Sequence, residues 1–150
     1  MNNLFIFFLI FLFSLSIHSK EKLVIYTYDS FISEWGPGPH IKKIFEERND
    51  VEIEFIATES AATLLAKLLL EGKSTKADIV LGLDMNLMQD AIDSQLFEKH
   101  SIKNIYKHLD IPIDWENDFF VPYNYGYFAF VYNNKKFKNP PKSMNELIND

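Results

Sequence analysis

The stretch that decides the fold is residues 51–72, VEIEFIATESAATLLAKLLLEG. Apolar and charged side chains alternate at its start, which predicts a β-strand over Val51–Ala57. Ser60 can then cap a helix whose apolar residues recur at one-face spacing, and Gly72 can end that helix. The residues of that face are Ala61, Leu64, Leu65, Leu68 and Leu69. A strand, a short turn and an amphipathic helix form the repeating unit of an α/β layer.

The same unit is found on both sides of this stretch. Leu23–Tyr28 is a short, nearly continuous apolar run, typical of a strand buried on both faces. Gly36-Pro37-Gly38-Pro39 interrupts the chain, and a helix is predicted from Pro39 to about Asn49, with Ile41, Ile44 and Phe45 on one face. Ala77–Leu81 predicts a third strand, and the next helix is expected to bury Leu87, Met88, Ala91 and Ile92. The order predicts an α/β fold with a mostly parallel sheet.

The pattern changes after His100. Residues 100–118 have no clear period and predict a loop, whereas Phe119–Pro122 and Tyr125–Tyr132 predict strands, with Phe128 and Phe130 in an aromatic core. Asn133-Asn134 predicts a turn, and Pro140-Pro141 marks a boundary. Ser143 and Glu146 have the spacing of a capping box that opens a helix. Because few residues follow, we expect the chain to end just inside a second domain, with a frayed tail as the alternative.

The N-terminus is predicted to be a signal peptide over residues 1–19. Leu4–Leu15 is apolar over about 12 residues, against about 20 for a membrane-spanning helix. Small and polar residues follow, and Lys20 ends the apolar run. We therefore expect cleavage, export to the periplasm and no stable membrane insertion afterwards. The alternative is an uncleaved N-terminal anchor.

Composition excludes several classes of function. The formal net charge is −6 and Arg48 is the only arginine, so a nucleic-acid-binding surface is not expected. The chain has no cysteine, which excludes disulfides, thiolate metal sites, a cysteine nucleophile and a lipid-modified cysteine. The four histidines lack metal-ligand spacing, and no nucleophile-elbow or phosphate-loop motif occurs. We therefore predict no catalytic residues, no metal and no cofactor.

Five strings resemble one family, the periplasmic thiamine-binding proteins of bacterial ABC importers. They are VIYTYDSF at 24–31, WGPGP at 35–39, EGK at 71–73, ADIVLGLD at 77–84 and FVPYNYGYFAFVY at 120–132. The Tyr-Thr start is shared with iron- and polyamine-binding relatives, whereas the combination of the first two strings with Tyr-Gly-Tyr-Phe-Ala-Phe is more specific.

The resemblance implies a periplasmic-binding-protein-like (type II) architecture of two α/β lobes with the ligand between them. Residues 20–124 would form lobe one, 125–133 a crossing strand or hinge, and 134–150 the incomplete start of lobe two. The implied function is the non-enzymatic substrate-binding component of an importer, which binds thiamine or its phosphates and delivers them to the permease. Alternatives are the same fold with a polyamine or ferric iron, a secreted enzyme, and a truncated non-functional product.

Thiamine is a heteroaromatic cation, so its site needs flat apolar surfaces, carboxylates and backbone donors, and in α/β sheets such sites lie beyond the carboxyl ends of strands. At the end of the first strand, Tyr28 and Asp29 offer an aromatic face and a carboxylate. Trp35 could stack on a ring. For each of the three, simple packing or turn formation is the alternative.

Three further places complete the predicted site. Glu59, Ser60 and Ala61 lie at a helix N-terminus, which attracts anions. Related thiamine binders typically carry Asp-Gly where this chain has Ser60 and Ala61, so the carboxylate contact would fall to Glu59. Asp84 is either a cleft residue or the N-cap of the next helix. Tyr125 enters the crossing strand beside Gly126, which would allow close backbone approach.

Overall fold

The computed structural model describes residues 20–104, 110, 115–127 and 129–149, which fall into two compact units divided between Glu98 and Lys99. The predicted signal peptide over residues 1–19 and the predicted core residue Phe128 lie outside the described residues. In the part of the chain that is described, no helix is both long and apolar enough to cross a membrane.

The first unit is a three-stranded sheet with helices between the strands. Its elements are β1 (Glu21–Tyr28), α1 (Asp29–Ile32), α2 (Gly38–Arg48), β2 (Val51–Thr58), α3 (Ala61–Glu71), a 3-10 turn (Gly72–Ser74), β3 (Ile79–Val80) and α4 (Met88–Asp93). The strand order is β2-β1-β3, and both pairings are parallel. The predicted alternation of strands and helices and the predicted parallel sheet are confirmed.

The third strand is shorter than the predicted Ala77–Leu81. Backbone bonds join Asp78 N–H to Val24 O at 2.9 Å and Leu81 N–H to Tyr26 O at 2.8 Å. The Val24 N–H, however, donates to the side-chain Oδ2 of Asp78 at 2.8 Å. Because a carboxylate takes this position in the ladder, regular pairing begins only at Ile79.

The core of the unit lies between α3 and the sheet. Leu64, Leu65 and Leu68 are buried, and Leu64 and Leu68 pack with Tyr26 of β1. Leu69, predicted to share this face, is half exposed. Burial of two or three leucines is worth about 1.5–3 kcal/mol each, so α3 is the main hydrophobic anchor of the sheet.

The apolar face predicted for α2 is only partly buried. Ile44 is half-buried, but Ile41 and Phe45 are exposed. The helix instead approaches β2 through polar contacts of Lys42 and Glu46, because these side chains reach the backbone of that strand. The start of α2 is fixed by Gly38, which packs against Phe31.

The second unit has one described helix, α5 (Met144–Asn149), which begins with the predicted capping contact from Glu146 N–H to Ser143 Oγ at 3.2 Å. The turn at Asn133 is also confirmed, since its carbonyl accepts from Lys136 and Phe137. The strands predicted at 119–122 and 125–132 are wrong, because none of the described residues there forms a ladder. Phe130, predicted to be core, is exposed.

Candidate functional site

The carboxyl ends of the three strands meet at one edge of the sheet. Tyr28 of β1 pairs directly with Thr58 of β2, and Leu81 leaves β3 on the other side of β1. The residues that follow these ends are therefore neighbours at a single edge. Six of the eight predicted site residues lie at these ends or within four residues after them, namely Tyr28, Asp29, Glu59, Ser60, Ala61 and Asp84, whereas Trp35 lies in the loop after α1.

Tyr28 is held in place by a glycine after β3. A Cβ on Gly82 would lie 2.3 Å from Cδ1 of the Tyr28 ring, closer than real contacts allow. Gly82 also has a φ of +109°, which strongly favours glycine. On its other side the Tyr28 ring meets Phe31 edge-on, with centroids 6.0 Å apart. The half-buried ring is thus fixed between the loop after β3 and α1.

Trp35 is presented by a loop that folds back on α1. Gly36 and Gly38 lie so close to the carbonyls of Ser30 and Phe31 that an added Cβ would clash with backbone. Ser33 closes the turn, since its hydroxyl donates to Ser30 O at 2.8 Å. The Trp35 side chain is 80% exposed. A fixed loop with an uncovered indole provides a flat surface for an aromatic ring.

The turn between β2 and α3 is closed by reciprocal caps. Thr63 N–H donates to Ser60 Oγ at 3.2 Å, and Ser60 N–H donates to Thr63 Oγ1 at 3.0 Å. Thr58 braces the turn, because its hydroxyl donates to Ser60 O at 3.1 Å. Ser60 is therefore the predicted N-cap, and its own N–H is already used. Ala61 opens the first turn of an 11-residue helix, where backbone N–H groups face outward.

Asp84 does not cap a helix. Its Oδ1 accepts from Asn86 N–H at 2.9 Å and its carbonyl accepts from Leu87 N–H at 3.1 Å, which closes a turn before α4. The N-cap position of α4 is Leu87, so the N-cap interpretation of Asp84 is wrong. The second carboxylate oxygen of Asp84 stays exposed at the sheet edge.

The charges at this edge are negative. Asp29, Glu59 and Asp84 are all exposed, and among the described residues none of the three forms an ion pair with a lysine or arginine. An uncompensated group of carboxylates beside aromatic rings favours a cationic ring ligand. No cluster of potential metal ligands occurs within the described ranges.

Tyr125, the eighth predicted site residue, belongs to the second unit. It is half exposed and its ring meets that of Tyr127 edge-on at 6.0 Å. An added Cβ on Gly126 would meet nothing within 4 Å, so no close backbone approach occurs there in the described structure.

Gly82 and Thr63 position the site without belonging to it, and neither was predicted to do so from the sequence. The Ser-x-x-Thr spacing at Ser60–Thr63 is a variant of the capping box and could have been recognised. The role of Gly82 could not have been recognised, because a glycine after a strand predicts a turn but does not predict which aromatic ring packs against it.

Comparison of the amino-acid sequence with known families identifies a match. Residues 74–150 match the model of a family described as bacterial extracellular solute-binding protein. The chain therefore belongs to the bacterial extracellular solute-binding proteins.

Similar proteins within this class carry a more specific name. The chain is 50% identical over 130 residues to a thiamine-binding periplasmic protein of Salmonella typhimurium, and 48% identical over 132 residues to one of Escherichia coli K12. These matches cover 87% and 88% of the chain but only 39% and 40% of the relatives. The chain thus spans about two fifths of their length, and the resemblance predicted from the five strings is confirmed.

A solved structure agrees with the fold. A structure titled periplasmic thiamin binding protein matches with a TM-score of 0.75 and 49% sequence identity, covering 87% of this chain and 41% of that one. The predicted fold class, a periplasmic-binding-protein-like (type II) α/β lobe, is confirmed. The division into lobe one, hinge and lobe two, and the eight site residues, remain predictions.

Proposed function

We propose that this chain belongs to the substrate-binding component of a thiamine importer and contributes the first wall of its ligand cleft. The relatives at 48–50% identity are thiamine-binding periplasmic proteins, which supports the ligand. The role is binding rather than catalysis. The protein acts in the periplasm and passes its ligand to the permease of an ABC transporter, and residues 1–19 serve as the signal peptide.

The observation that carries the proposal is the sheet edge with rings beside uncompensated carboxylates. Tyr28 is fixed between Gly82 and Phe31 and is followed directly by Asp29. The Trp35 side chain is exposed. A thiazolium or aminopyrimidine ring stacks on such surfaces, and its charge is favoured by nearby carboxylates. Because the Tyr28 ring is held in place before the ligand arrives, little of its side-chain entropy is lost on binding.

The start of α3 suits the hydroxyl or phosphate end of the ligand. Its first-turn N–H groups carry the positive end of the helix dipole. The Ser60–Thr63 caps use the N–H groups of those two residues, which leaves the N–H groups of Ala61 and Ala62 as donors. Glu59 lies beside these donors, so the negative charge of a thiamine phosphate would meet the Glu59 carboxylate. We therefore expect thiamine to be preferred over its phosphates.

Calorimetric titration of thiamine tests the proposal. It is run on the chain as exported and processed, and on a longer form that covers the full length of the relatives. We expect binding by the longer form, because it adds the rest of lobe two, which would close the cleft. Absence of heat from the longer form, with the protein folded by circular dichroism, contradicts thiamine and redirects the search to another solute of the same fold.

A pair of charge-matched variants tests the site. Asp29→Asn removes one carboxylate at the proposed edge and should weaken thiamine binding about tenfold, the loss of roughly one charged contact. Asp50→Asn makes the same change at the opposite edge, where Asp50 precedes β2, and should bind like the parent. Equal affinities of the two variants would contradict the assigned site.

A further inference from the structure

The strand β2 is the outer strand of the described sheet, with β1 on one side only. In a parallel pair, alternate residues direct both backbone groups toward the neighbour or away from it. The outward groups of an eight-residue edge strand are a template for pairing with another chain.

At Ile53, the third residue of β2, both outward groups are already bound by side chains of α2. Lys42 Nζ donates to Ile53 O at 2.6 Å, and Ile53 N–H donates to Glu46 Oε1 at 2.7 Å. Ile53 itself is buried, with 2% of its surface exposed. Two charge-assisted hydrogen bonds therefore occupy the edge at a point where it has no strand neighbour.

The two side chains also hold each other. Lys42 Nζ lies 3.6 Å from Glu46 Oε1, an i,i+4 pair on α2. The pair and Ile53 form a closed group of three contacts, which we name the edge clamp. Ile41 and Phe45 of α2 are exposed and therefore contribute little packing. These polar contacts thus position α2 together with the packing that remains.

We propose that the edge clamp prevents β2 from pairing with β2 of a second copy of this chain. A two-fold axis at Ile53 would set the strands antiparallel, and a hydrogen-bonded antiparallel pair exchanges both backbone bonds between opposite residues. The N–H and C=O that each Ile53 would offer its counterpart are the same two groups that Lys42 and Glu46 bind. The clamp and the dimer are thus mutually exclusive.

The register of that dimer also places acidic side chains opposite each other. With Ile53 opposite Ile53, Glu52 of one copy faces Glu54 of the other, and like charges directly opposite are destabilising. Glu54 is paired with Lys22 at 2.8 Å, which moderates the repulsion. The acidic residues add to the clamp as a second barrier to pairing, and they identify the register for a test.

The test compares two double variants of the same helix. Lys42→Ala/Glu46→Ala removes the clamp, whereas Lys43→Ala/Glu47→Ala removes the same charges at the same spacing from exposed positions. In sedimentation velocity of the full chain as exported, we expect concentration-dependent dimers only without the clamp. Amide exchange at Ile53 should also be about tenfold faster in that variant while it is monomeric, since the Glu46 acceptor is lost.

The proposal is overturned if the clamp variant is folded and stays monomeric over the same concentrations as its control. Adding Glu52→Lys to the clamp variant should strengthen the dimer, because a lysine would then face Glu54; an unchanged dimer would contradict the stated register. Should the double variant fail to fold, Glu46→Ala is compared with Glu47→Ala, and equal exchange at Ile53 with equal sedimentation refutes the clamp.

Discussion

The two compact units treat their apolar residues in opposite ways. In the first unit, β1 is covered by strands on both sides and by α3, and Tyr26 and Leu64 are almost fully buried. In the second unit, none of the described residues from Lys99 onward is buried, and Val131 is 97% exposed. Both units contain β-branched and aromatic runs that predict strands. Only the run that has partner residues within the described ranges becomes one.

This difference shows what a strand pattern does and does not specify. Alternation and β-branching favour an extended, half-buried conformation, but the hydrogen bonds must come from a neighbour. Residues 51–58 and 79–80 supply that neighbour to β1, whereas nothing in the described ranges supplies one to residues 125–132. The described residues of the aromatic run in the second unit are therefore exposed.

The largest expected effect is the loss of stability when a core side chain of the first unit is shortened. Leu64→Ala removes a side chain with no exposed surface and should lower the free energy of unfolding by about 2–5 kcal/mol. Val131→Ala should change it by less than about 0.5 kcal/mol, because the side chain already faces solvent.

Urea unfolding, followed in single-tryptophan variants, assigns each change to its unit. Trp35 belongs to the first unit and Trp115 to the second, where its indole N–H donates to Phe120 O at 2.9 Å. Leu70→Ala is the control on the same helix, since Leu70 is 89% exposed. Equal effects of Leu64→Ala and Val131→Ala would show that the two units are packed alike.

A glycine in each unit gives the second comparison. Gly82→Ala should destabilise the first unit by about 1–3 kcal/mol, because its φ of +109° is unfavourable and a Cβ would meet the Tyr28 ring. Gly126→Ala should be neutral or stabilise by up to about 1 kcal/mol, since an added Cβ meets nothing. Thermal unfolding measures both, and near-ultraviolet circular dichroism reports the displacement of Tyr28. A destabilising Gly126→Ala would reveal packing around the second unit's aromatic run.

The residues that sequence predicted well are those whose role depends on local spacing. The helical face of Leu64, Leu65 and Leu68, the cap at Ser60 and the stop at Gly72 were all found where expected. Each depends on neighbours within about two helical turns, and for these the amino-acid order fixes the geometry.

The failures all involve a partner distant in the chain. Asp78 shortens β3 because its carboxylate reaches Val24, 54 residues earlier, and Gly82 matters because of a ring at Tyr28. The exposure of Ile41 and the edge clamp follow from where α2 lies against β2. For the candidate site, the sequence placed six residues at or just after strand ends, but only the strand order brought those ends to one edge.

The smallest expected effect is on the pH dependence of stability, and it is tested on one carboxylate in each unit. Glu71 accepts from Lys67 at 2.6 Å, from Thr75 at 2.8 Å and from the Tyr26 hydroxyl at 3.3 Å, so its pKa is lowered, first by Lys67 and then by Thr75. Lys99, at 2.6 Å, lowers the pKa of Asp118 in the second unit.

A carboxylate whose pKa is lowered by folding stabilises the protein above its unfolded-state pKa, and this contribution is lost as pH falls through the folded-state value. Stability of the first unit should therefore decrease below about pH 4.3, and Glu71→Gln should make this acid limb shallower. The effect is small because the group lies at the surface, where ion pairs contribute little. Asp118→Asn should leave the acid limb reported by Trp35 unchanged and affect only that reported by Trp115. If Glu71→Gln left the Trp35 limb as steep as in the parent, the contacts of Glu71 with Lys67, Thr75 and Tyr26 would not join α3 to β1 in solution.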